Sequence, residues 1–161
     1  MSTQAQATAV STEIDVAAPL DHAFAVFTAG IGTWWNPSHH LLDGELTDMV
    51  FEPYVGGHIT DRYADGRECR WSRVLAYEPP TRVVFSWDIN LQWQLESDLS
   101  KTSEVEVTFT ALDADRTHVV LTHRHLERHG DGWTSMRDAV GSGWNLDAYA
   151  AAAAAPPSRS A

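Results

Sequence analysis

Basic side chains, cysteines and long apolar runs are all scarce in this sequence, and each scarcity removes a class of function. Eleven lysines and arginines stand against 22 aspartates and glutamates, for a net charge of −11. Such a surface repels phosphate backbones and anionic headgroups, which makes nucleic acid and membranes poor candidates as partners. The one cysteine, Cys69, cannot form an internal disulfide and gives no sign of an oxidising compartment. No run approaches the ~20 apolar residues of a membrane span. The first nine residues lack the basic start and apolar stretch of a signal peptide, so the expected location is the cytoplasm. The glycines match neither a P-loop nor a dinucleotide fingerprint, and there is no GxSxG, HExxH or CxxC spacing. Phosphate and hydride chemistry are therefore not expected, and neither a cofactor nor a metal is.

What is present reads as one domain. With 161 residues, 43% apolar and 20% charged, the chain is long enough for a single core. The expected organisation is a flexible N-terminus over 1–8, one domain over 9–155 and a disordered tail over 156–161. Val10, Thr12, Ile14 and Val16 alternate with polar residues as in a half-buried strand. Pro19 suits a first helical position, with Leu20, Ala23, Phe24 and Phe27 on one helix face, and a short turn carries Ile31, Trp34 and Trp35. Residues 36–45 read as loop. Strands follow near 46–52 and 58–63, then one over 67–77 that places Cys69, Trp71, Arg73, Leu75 and Tyr77 on one face. After the Pro79-Pro80 turn, Val83, Phe85, Trp87 and Ile89 alternate, then Val105, Val107 and Phe109, then Val119, Leu121, His123 and His125. Trp133, Met136, Val140 and Trp144 form the stripe of a long final helix that Gly141-Ser142-Gly143 weakens in its middle. Strands in a run with helices at the ends predict an α+β fold: an antiparallel sheet of six to seven strands, a short helical pair after strand 1, and a C-terminal helix as cover.

The run Trp71-Ser72-Arg73-Val74-Leu75-Ala76-Tyr77-Glu78-Pro79-Pro80-Thr81-Arg82-Val83-Val84-Phe85-Ser86-Trp87 resembles the signature of proteins similar to the C-terminal domain of the activator of the 90-kDa heat-shock chaperone ATPase. These belong to the START-like, or SRPBCC, superfamily. Further matches are the segment from Pro19 to Phe27 with Trp34-Trp35, the Gly56-Gly57 pair, Ser103 to Phe109, and Trp144, so the resemblance spans residues 8–150. It implies a helix-grip fold, in which a curved sheet wraps the terminal helix around an internal pocket. Members bind lipids, hormones and polyketides, and a minority catalyse. No invariant catalytic residue transfers.

Seven tryptophans are several times ordinary usage. With Trp71, Trp87, Trp133 and Trp144 on inward faces, beside Phe85 and Phe109, they describe the wall of a pocket for a small apolar or aromatic molecule. Arg73 and His123 are the strongly polar residues on those faces and the candidates to read a polar group of the ligand. Each has a plainer alternative: Arg73 snorkelling at a sheet edge, His123 as a satisfied core histidine. His123, His125, His129 and Asp131 carry metal-ligating side chains, but a strand end accounts for them without a metal. Three functions stay open: a small-molecule binding module, a co-chaperone-like domain docking on a heat-shock chaperone, and a cyclase, aromatase or hydrolase using the same pocket.

Overall fold

The computed structural model describes residues 8–35, 41–144 and 146–154. The segments expected to be unstructured, 1–8 and 156–161, lie outside these except for Thr8, whose carbonyl accepts a hydrogen bond from the Leu126 N–H at 2.9 Å. Residues 36–40 of the expected loop also lie outside them.

Seven strands form one antiparallel sheet: β1 (Val10–Val16), β2 (Leu46–Phe51), β3 (His58–Tyr63), β4 (Glu68–Glu78), β5 (Arg82–Trp87), β6 (Ser103–Asp113) and β7 (Arg116–Arg124). The spatial order is β1-β7-β6-β5-β4-β3-β2, so every neighbour beyond the first pair is joined in sequence order and only β1 is carried across to the far edge. Helix α1 (Leu20–Phe27) and a 3₁₀ turn (Ile31–Thr33) provide that crossing. The curled sheet with its C-terminal helical cover is the helix-grip arrangement, α+β in class.

Alternation holds where the strands are regular. Val105, Val107 and Phe109 on β6 and Val119, Leu121 and His123 on β7 are all buried, with the intervening side chains more exposed. It fails on β4, where the register against β3 shifts between Ile59 and Thr60 and the register against β5 shifts between Val74 and Ala76. The first bulge makes Trp71 the extra residue, so Ser72 pairs with inward Ile59 and Arg73 turns to the outer face. The second makes Leu75 the extra residue, and Tyr77, opposite Val83, returns to the inward face. A strict period of two therefore misplaces Arg73 and Leu75, while Cys69, Trp71 and Tyr77 keep their predicted side. Val74, inward between the bulges, exchanges backbone bonds with the β2–β3 turn: Gly56 N–H to Val74 O at 3.0 Å and Val74 N–H to Gly57 O at 2.8 Å. That approach requires glycine, since a Cβ at Gly57 would lie 2.6 Å from Glu52 Cβ.

The C-terminal cover is two helices where one long helix was expected. Helix α2 (Trp133–Gly143) stops where Gly141-Ser142-Gly143 offers the weakest helix propensity, and Trp144 is extended (φ −74°, ψ 109°) before α3 (Leu146–Ala154). Helix α3 packs on α1 and β1. Tyr149, fully buried, donates from its hydroxyl to Ala23 O at 2.6 Å and sets its ring 5.2 Å from that of Phe27. Burial pushes its phenol above the ordinary tyrosine value. Phe27 also meets Trp34 at 5.0 Å and Phe109 at 5.9 Å, and forms the centre of the core beneath α1.

Candidate functional site

Of the residues expected to line the interior, five form one continuous aromatic surface. Trp71 lies 5.7 Å from Trp87, Trp87 lies 5.8 Å from Trp144 and 5.1 Å from the His123 ring, and Phe85 lies 6.4 Å from Trp144. The helix break makes this possible, because extended Trp144 leaves the helical path and meets side chains of β5 and β7 at once. Trp35, just after the 3₁₀ turn, joins the wall at 5.3 Å from Trp71 and 5.6 Å from Trp144, although it was not among the residues expected there.

The remaining three expected residues are elsewhere. Phe109 is covered by Phe24 at 5.1 Å and by Phe27, so it fills the core under α1. Trp133, at the start of α2, is half-buried and carries the Arg137 guanidinium 5.3 Å from its ring centre. Arg73, turned outward by the bulge, is held by Asp88: Nε donates to Oδ2 and Nη2 to Oδ1, both at 2.9 Å, and Nη2 also donates to Thr102 Oγ1 at 3.1 Å. The fork of two parallel bonds suits guanidinium and carboxylate, and it raises the Arg73 pKa further above its ordinary value. Replacing Arg73 with Met strands the buried Asp88 carboxylate, so unfolding in urea should show a loss of about 1–3 kcal/mol.

The polar content of the interior comes from β6 and β7. Ser103, first residue of β6 and fully buried, pairs across the sheet with Trp87. Its Oγ lies 2.7 Å from His123 Nε2 and 2.7 Å from His129 Nε2. His129 arrives there because β7 ends one residue earlier than the alternation predicts. His125 adopts a left-handed conformation (φ 62°) and starts the 3₁₀ turn Leu126–His129, which folds back over the sheet end. His125 therefore does not share the face of His123, and His129 does reach the interior. Among the described residues no group of three or more His, Cys, Asp or Glu side chains could hold a metal ion.

Both imidazoles are kept neutral. Burial, then the neighbouring His129, lowers the His123 pKa to about 3. Burial also lowers that of His129, against the opposing pull of Glu96 and Asp88. A single hydroxyl can donate to only one of its two imidazoles, so it must accept from the other. One Nδ1 then carries a proton and the other a lone pair. Neither has a hydrogen-bond partner among the described residues, and the same holds for the buried indole N–H groups of Trp87 and Trp144 and the Ser72 hydroxyl. Buried polar atoms are ordinarily paired, and three of these five belong to side chains in mutual ring contact, Trp87, His123 and Trp144.

A family model described as "Activator of Hsp90 ATPase homolog 1-like protein" matches residues 17–147. The chain belongs to this family. Its place in the START-like, SRPBCC superfamily agrees with the helix grip. Among solved structures, Txn09, described as an anthrahydroquino-γ-pyrone synthase complexed with SUM, is 37% identical, with 90% of this chain and 96% of that one covered and a TM-score of 0.64. CalC of Micromonospora echinospora, a self-sacrificing resistance protein, is 23% identical over 90% of this chain and 93% of its own, with a TM-score of 0.66. Protein MLL2253 of Mesorhizobium loti is 18% identical over 89% and 94%, with a TM-score of 0.61. The last two show the fold alone. No match was found among curated proteins. No helix of the described residues is long and apolar enough to cross a membrane.

Proposed function

We propose that this member of the family binds a planar, oxygen-substituted aromatic molecule against the wall formed by Trp71, Phe85, Trp87, His123 and Trp144. The observation that carries the reading is the set of buried, unpaired polar atoms inside that wall. Each unpaired donor costs about 1–3 kcal/mol in a protein that only needed a packed core. A ligand with ring oxygens pairs them: carbonyl or phenolic oxygens accept from the indole N–H groups, and a hydroxyl meets His123 Nδ1. Stacking and edge contacts with the tryptophans supply the apolar part of the affinity. The relationship to Txn09 supports a polycyclic ligand of the anthrahydroquinone kind. Docking on a heat-shock chaperone, the reading that the family description suggests, leaves the unpaired interior atoms without a role. A cytoplasmic setting accords with the buried Cys69, whose thiol burial pushes up to about 11 and so keeps protonated and inert.

The test compares alizarin, a dihydroxyanthraquinone, with anthracene, which has the tricyclic shape and no oxygen, by calorimetry and thermal shift. Alizarin is expected to bind at least tenfold more tightly, and at a concentration of about 100 Kd to stabilise the fold by about 2.7 kcal/mol. Trp144→Phe should lose about tenfold in alizarin affinity and leave anthracene unchanged, while Arg73→Met should leave both unchanged. Equal affinity for the two compounds, or none for either, would overturn the reading.

A further inference from the structure

We propose that Ser103, His123 and His129 form a proton relay that removes and returns a proton at the ligand, so that the site is a general acid–base catalyst as well as a binding pocket. This rests on the ligand site proposed above, because His123 is the member whose ring belongs to its wall, 5.1 Å from Trp87 and 6.1 Å from Trp144.

Three features carry the inference. The first is continuity: two imidazoles joined through one hydroxyl at 2.7 Å on each side make an unbroken chain of exchangeable protons from His123 Nδ1 to His129 Nδ1. The second is that both outer ends are vacant, since neither Nδ1 has a partner among the described residues. A histidine placed only to fill space has no need of this. Val119 and Leu121, its predecessors on the inward face of β7, fill theirs with hydrocarbon. The third is polarity of direction. Glu96 and Asp88 act on His129 and favour a proton there, whereas His123 lies among aromatic rings.

The chain can move a proton without leaving a charge on either ring. In the starting arrangement His123 Nε2–H donates to Ser103 Oγ, Ser103 O–H donates to His129 Nε2, and His129 Nδ1 holds a proton. A ligand C–H or O–H gives its proton to His123 Nδ1, and its electron pair stays on the ligand as an enolate or phenolate. The His123 Nε2 proton passes to Ser103 Oγ, the Ser103 proton passes to His129 Nε2, and the His129 Nδ1 proton is taken up by a solvent water on the side that Glu96 and Asp88 make favourable to positive charge. Both rings end neutral in the other tautomer, and reversal returns the proton from water to the ligand. No oxidant or reductant enters, and water is the one other participant. The burial that suppresses an imidazolium makes this neutral exchange the accessible route. General base catalysis of this kind contributes about 10²–10⁴-fold to a proton-transfer step.

Anthrone, a tricyclic ketone with a slowly exchanging C10 methylene, is the probe. Its exchange in D₂O at neutral pH is followed by proton NMR with wild-type protein and with Ser103→Ala, His129→Gln and His123→Gln, while binding is measured separately by tryptophan fluorescence. Wild type is expected to accelerate exchange at least tenfold over solution. Ser103→Ala and His129→Gln, which touch the ligand only through His123, should each lose most of that acceleration with Kd changed by less than twofold. His123→Gln should abolish it. Two relay variants guard against one failing to fold, and melting curves confirm that each has folded. Bound anthrone with no acceleration, or acceleration indifferent to Ser103 and His129, overturns the relay and leaves the binding site standing. Failure of anthrone and alizarin alike to bind removes both.

Discussion

Trp87→Ala should destabilise the protein by about 3–5 kcal/mol, and Trp87→Phe by less than about 1.5 kcal/mol, in urea unfolding of the ligand-free chain. Only 7% of Trp87 is exposed, and its ring is the one that meets Trp71, His123 and Trp144 together, so truncation empties the centre of the wall. Phenylalanine keeps an aromatic ring in that place. It also deletes an indole N–H that has no partner among the described residues, and removing an unpaired buried donor offsets part of the lost volume. The contrast separates packing from recognition. If Trp87 serves packing alone, the Phe variant binds alizarin as wild type does; if its N–H reads a ligand oxygen, affinity falls about tenfold while stability hardly moves. A loss below about 1 kcal/mol for Trp87→Ala would mean that the residue does not hold the wall together.

Most of the sheet was legible because its regular strands carry strict alternation. Val105, Val107 and Phe109, then Val119, Leu121 and His123, needed nothing but period two. The errors cluster where a local device overrides the period. The first of two bulges on β4 turns Arg73 out to Asp88, the second shifts Leu75, and bulges leave no compositional mark in a run such as Trp71-Ser72-Arg73-Val74. His125 ends β7 by adopting a positive φ, a conformation that a histidine does not announce. The helix break at Trp144 was foreshadowed by Gly141-Ser142-Gly143, but not that the break would deliver an indole to the interior. Ser103 was within reach: stepping back by two from Val105 along β6 puts it on the inward face opposite Trp87. His129 was not, since its approach depends on the 3₁₀ turn that follows His125. The site is thus half periodic, in its tryptophans, and half non-local, in the hydroxyl and second imidazole that complete its polar end.

Acid should unfold the protein earlier than its carboxylates alone would require, and the buried histidines set the window. His123 has a folded pKa of about 3 against an ordinary 6.5, so between those values the unfolded chain binds a proton that the folded chain refuses. Stability is unaffected above pH 6.5 and falls below it by about 1.4 kcal/mol per pH unit for His123 alone. His129, lowered for the same first cause, adds to the slope in the same direction. Paired carboxylates act in a lower range. In Glu104 burial works against ionisation, but the Arg124 hydrogen bond and charge prevail and lower its pKa from 4.5, so its contribution is lost only as pH falls below that value. The interval from 6.5 to about 5 therefore belongs to the histidines. Across it His123 alone removes about 2 kcal/mol from a fold whose whole stability is expected to be about 5–15 kcal/mol. Urea midpoints measured at half-unit steps over this interval should decline in wild type and decline less steeply in His123→Gln, which keeps polarity, cannot be protonated and leaves only the His129 share of the slope. A wild-type curve level down to pH 5 would mean that water or a cation-stabilising group reaches His123, and the neutral relay would fall with it.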